Sequence, residues 1–109
     1  MINAKKTVER IIKRNTGREV SVDIYDSRKD ALGESGIEIA VYPSKESTQH
    51  FSFIVTETEV KTVFISTGWS DAFMNTKRAK EYRELLITIG RFMDAYRVII
   101  RQIRELYNM

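Results

Sequence analysis

Residues 82–109 read YRELLITIGRFMDAYRVIIRQIRELYNM, and their pattern decides the fold. With Tyr82 at position a of a heptad, the a positions are Tyr82, Ile89, Tyr96 and Ile103. The d positions are Leu85, Phe92, Ile99 and Leu106, and the e positions are Leu86, Met93, Ile100 and Tyr107. All twelve are apolar or aromatic. A stripe this broad marks a helix packed on a core, because a coiled-coil seam keeps to a and d and carries steering charges at g. Here the g positions are Thr88, Ala95 and Gln102. The spacing predicts one continuous helix from about Thr76 to Met109, capped by Ser70 or by Asn75 and Thr76.

Upstream of this helix the period changes to two. Val20, Val22 and Ile24 alternate with polar residues in 19–25, Ile37, Ile39 and Val41 in 36–42, and Phe51, Phe53 and Val55 in 51–56. In 60–66 the alternating pair is Val63 and Ile65. Strict alternation predicts strands with one buried face, and the short links between them, rich in turn residues, predict an antiparallel meander. Tyr25, Tyr42, Ile54 and Phe64 then fall on the outer face, where they suit a groove for a partner or a small ligand. Before the strands, Val8, Ile11 and Ile12 share a helical face over 4–16, with Asn3 as its cap and Gly17 as its stop. The expected fold is α+β: an N-terminal helix, a four-stranded antiparallel meander sheet, and a long C-terminal helix packed on one sheet face. At this length, residues 1–109 form one domain.

A helix from Thr76 to Met109 would run roughly 50 Å at about 1.5 Å per residue. Four strands about 4.8 Å apart make a sheet only about 20 Å wide. The sheet and the short first helix therefore leave part of the stripe without cover. The residues expected to need a partner are Phe92, Tyr96, Ile99, Ile100, Ile103, Leu106 and Tyr107. Trp69, just after Gly68, either pins the helix to the sheet or joins that surface as an anchor. An apolar patch of this kind marks an interface, and pairing with a second copy is the economical way to close it. A different protein would serve as well.

The net charge of +3 conceals a segregation. Residues 1–18 carry +5, residues 19–71 carry −6 and residues 72–109 carry +4. Either the basic ends meet as one surface or they neutralise the acidic middle. Lys13 and Arg14 on the first helix, with Arg83, Arg97, Arg101 and Arg104 on the last, are the candidate phosphate ligands for nucleic-acid binding. The acidic middle argues against that reading, as does the lack of a helix-turn-helix or zinc-finger pattern.

Motifs for chemistry are sparse. With no cysteine there is no disulfide, thiolate metal site or cysteine nucleophile, which fits a reducing, cytoplasmic compartment. No run is long and apolar enough to span a membrane, and 1–18 lacks a signal-peptide core. His50 is the only histidine, too little for a Ser–His–Asp site or a zinc site. Glu59 and Lys61 have the E-x-K spacing of metal-dependent nucleases, with Asp23 and Glu38 as the nearest further carboxylates, but alternation on an exposed strand explains them equally. Asp23, Asp26 and Asp30 lack the spacing of a calcium loop. Nothing in the sequence calls for a cofactor or a metal. The expectation is a non-enzymatic, homodimeric interaction or assembly module, with nucleic-acid binding as the alternative and a metal-dependent nuclease behind it.

Overall fold

The structure, a computed structural model, describes residues 4–28, 36–65 and 76–109. Helix α1 spans Ala4–Thr16, and strands β1 to β4 span Ser21–Asp26, Ile37–Tyr42, His50–Val55 and Val60–Ile65. Helices α2 (Thr76–Asp94) and α3 (Tyr96–Leu106) follow. The strands form one antiparallel sheet in the order β1-β2-β3-β4. The fold is α+β, as expected, with the three helices of the described residues packed on the sheet.

Register builds the core. Val22 pairs with Val41, and Val41 in turn with Phe51. One row along, Ile24 pairs with Ile39 and Ile39 with Phe53. These side chains pack against Val8, Ile11 and Ile12 of α1 in one buried cluster. Strand β4 corrects the expected parity. Val60 pairs with Val55 and packs against the core, and Thr62, opposite Phe53, shares its register side but is exposed. Val63 pairs with Ser52.

Local chemistry closes the connections. Gly17, at φ 72°, ends α1 with its amide donating to the Lys13 carbonyl at 2.8 Å, the left-handed cap that glycine favours. Between β1 and β2, Gly36 lies so close to its neighbours that a Cβ there would stand 2.8 Å from Ile54 Cγ2 and 3.1 Å from the Val55 carbonyl oxygen. In the β3–β4 turn, the Thr56 hydroxyl accepts from the amides of Thr58 and Glu59.

The last helix is two helices, not the single rod expected. At Ala95 the backbone leaves helical geometry (φ −111°, ψ 15°), and its amide is shared between Arg91 O at 3.3 Å and Phe92 O at 3.1 Å. A straight rod over residues 76–106 would run roughly 46 Å, against an extent of 43 Å along the molecule's long axis. The break keeps both halves on the core. Phe92, just before it, meets Phe53 at 5.0 Å, Phe51 at 5.3 Å and Tyr96 at 6.4 Å between ring centroids. Helix α3 is tied to α1 by Asn15 Nδ2 donating to Gln102 Oε1 at 2.9 Å. It is tied to the β3–β4 turn by Arg104, which donates to the carbonyls of Thr56 at 3.0 Å and Glu59 at 3.3 Å.

Candidate functional site

The apolar stripe that seemed to require a partner is largely covered from within. Ile99 and Ile103 are 0% exposed, Phe92 and Ile100 are buried, and Tyr96, Leu106 and Tyr107 are half-buried against the same core. The covering argument failed because it took the helix as straight. Bent at Ala95, its second half packs against α1, and α1 bridges both halves. Trp69 lies outside the described residues, as does Asp30.

What the helices leave open lies elsewhere on α2. Leu86 is 49% exposed, Ile87 44% and Met93 52%, with Val98 following on α3. At 3.6 residues per turn, Leu86, Ile87, Met93, Arg83 and Asp94 fall within an arc centred on Gly90. The core-facing residues Leu85, Thr88 and Phe92 occupy the opposite side. Nothing lies within 4 Å of where a Gly90 Cβ would stand, so the backbone there can be closely approached. Leu86 and Met93 stood in the sequence stripe as e positions. Neither Ile87, at position f, nor the centring on Gly90 was drawn from it.

The six candidate phosphate ligands do not form one free basic track. Arg104 is spent on the Thr56 and Glu59 carbonyls, and Lys13 pairs with Glu19 at 2.8 Å, holding that carboxyl below its usual range by hydrogen bond and charge. Arg14 donates to Gln102 at 3.4 Å, and Arg101 stands 4.0 Å from Glu105. Arg83 and Arg97 are exposed on the helix layer. A further basic side chain is engaged as well: Arg18 bridges to Glu84, tying the α1–β1 link to α2. A cleft of about 400 Å³ between α1, the α1–β1 link and the β2–β3 connection interleaves Lys6, Arg10, Lys13 and Lys45 with Glu9 and Glu19. Glu9 there accepts the Val22 amide at 3.0 Å, which occupies a donor of the β1 edge.

The outer sheet face carries a second feature. The register lines up Asp23, Ala40 and Ser52 across three strands. Ala40 and Ser52 are small and form the floor of a cleft of about 230 Å³, with Tyr42 and His50 on one side and Tyr25 and Glu38 on the other. His50 is the first residue of β3 rather than part of a turn, and its ring stacks on Tyr42 at 4.7 Å and 29°. Its Nδ1 is buried without a hydrogen-bond partner among the described residues. Burial, then the charge of Asp23, pushes the Tyr42 hydroxyl above the usual tyrosine range. Of the outer-face residues expected, Tyr25 and Tyr42 line this cleft, Ile54 lies beside Glu38, and Phe64 belongs by register to the Phe51 row.

Of the residues weighed for chemistry, Asp23, Glu38 and His50 line the outer-face cleft, whereas Glu59 and Lys61 stand apart from it. Glu59 belongs to the exposed β3–β4 turn, and Lys61 pairs with Ile54 on β4, away from Asp23 on β1. Asp26 is engaged by Arg28 at 2.7 Å, which also raises the Arg28 pKa. Among the described residues no group of three or more His, Cys, Asp or Glu side chains is placed to hold a metal ion, and no helix is long and apolar enough to cross a membrane. Compared with protein-family models, curated proteins and solved structures, the chain finds no match.

Proposed function

We propose that this protein is a non-enzymatic interaction module that assembles as a homodimer through the outward face of α2. The observation that carries this reading is the cluster of Leu86, Ile87 and Met93, all about half exposed and centred on the open backbone of Gly90. Such side chains on one helix face, with a glycine at the centre, suit helix against helix at close range. A second copy is the fitting occupant because the face complements itself. An antiparallel crossing at Gly90 sets Ile87 against the partner's Met93 and brings Asp94 near the partner's Arg83. One helix face is a small interface, so affinity is expected at about the micromolar level. The nucleic-acid reading ranks lower: of its six residues, four already have intramolecular partners.

Gly90→Ala tests the crossing. Alanine in an exposed helix interior stabilises the fold by about 0.5–1 kcal/mol, and no atom here stands in its way. At a helix crossing the same methyl group holds the two backbones apart. The expected outcome is a higher urea midpoint for the monomer together with a weaker dimer in sedimentation velocity. A higher midpoint with unchanged association would mean that α2 does not cross its copy at Gly90.

A further inference from the structure

We propose that the cleft on the outer sheet face is a receptor for an arginine side chain presented by a partner protein. This goes beyond dimer formation and rests on the sheet alone, since cleft and α2 patch lie on opposite layers of the molecule. Size sets the first limit on the occupant. The volume of about 230 Å³ equals roughly eight waters at about 30 Å³ each. It falls below the roughly 300–1,000 Å³ typical of small-molecule pockets. One long side chain fills it. The cleft is also open, so a partner protein, whose surrounding surface excludes water, holds the side chain more tightly than a short peptide does.

Chemistry then selects the side chain. Asp23 and Glu38 are diagonal neighbours across β1 and β2, because Asp23 pairs with Ala40. Diagonal positions stand about 7–8 Å apart, wide enough for a planar group to sit between two carboxylates. Aromatic rings complete the walls: Tyr42, stacked on His50, on one side and Tyr25, 57% exposed, on the other. Carboxylates beside π faces form a setting for a guanidinium, which pairs with the former and stacks on the latter. Lys61, the one lysine or arginine among the described strand residues of this face, is two strands from Glu38 and lines none of the cleft. Arginine and tyrosine are also the residues that most often dominate interface energetics.

The test is an amide chemical-shift titration of the isotopically labelled full chain with acetyl-Gly-Arg-Gly-amide. The same peptide with citrulline, which keeps the shape and removes the charge, is the control. The arginine peptide should shift the amides of Asp23, Tyr25, Glu38, Ala40, Tyr42 and Ser52, and citrulline should not. Asp23→Asn with Glu38→Gln should abolish the shifts while the rest of the spectrum overlays the wild type. Equal shifts with citrulline, shifts surviving in the double variant, shifts mapped to the helices, or no shifts at all would each overturn the proposal. Leu86→Asp with Met93→Asp, which separates the dimer, should leave the arginine response unchanged, so failure here is distinct from failure of the dimer.

Discussion

Phe92 touches three aromatic rings at the point where the last helix bends, and it is 2% exposed. Truncating it leaves a cavity between sheet and helices, so Phe92→Ala should cost about 3–5 kcal/mol in urea unfolding. Arg104→Ala should cost less, about 1–2 kcal/mol, because its bonds to the Thr56 and Glu59 carbonyls lie at the edge of the molecule. Two tyrosines set the alkaline limit. Tyr107 is shifted upward by burial and the Asp26 charge, opposed by Arg28, and Tyr42 by burial and Asp23. A phenol whose folded pKa exceeds its ordinary value of 10.0 binds its proton more tightly in the folded state. Its stabilisation is complete below that value and is lost as the pH rises through the folded pKa. Urea midpoints should therefore fall above pH 10, and Tyr107→Phe with Tyr42→Phe should flatten that fall. At this scale the sequence was readable where a residue's type sets its backbone, as at Gly17. It was silent on Arg104, since an arginine on a helix face looks the same whether it reaches a phosphate or a turn carbonyl.

At the scale of elements, periodicity carried most of the fold. The alternating sets in 19–56 became strands with the expected inward faces, and Thr76 begins the helix where expected. Two elements were misread for stated reasons. In β4 the alternation rests on few apolar residues, and Thr62, on the register side of Val60, broke the pattern that would have set its parity. The break at Ala95 has no proline or glycine beside it that would mark it in a local pattern. Burial then reverses one consequence. Ile99→Asp with Ile103→Asp, a natural choice for splitting a dimer built on the stripe, places two carboxylates at sites that are 0% exposed. These carry a desolvation penalty without a partner. The expected outcome is loss of cooperative folding by circular dichroism, not a folded monomer.

The whole molecule resolves the charge segregation. The basic ends meet as a helix layer, partly neutralised through Lys13–Glu19 and Arg18–Glu84, while Asp23 and Glu38 mark the far side of the sheet. The outer-face cleft was half legible: alternation named Tyr25 and Tyr42, but only register could show Ala40 and Ser52 as a floor between them. The α2 patch was legible in its residues and not in its exposure, which depends on how the helix rotates against the core. The account's central claim is that this patch pairs two copies of the chain. The direct measurement is solution mass by light scattering, at low and high salt, well above the expected micromolar constant. The wild type should weigh near twice 12.7 kDa at both salts, because the contact is apolar. Leu86→Asp with Met93→Asp should weigh 12.7 kDa with an unchanged circular dichroism spectrum. A wild-type mass of 12.7 kDa, or a double variant that still dimerises, would contradict the claim.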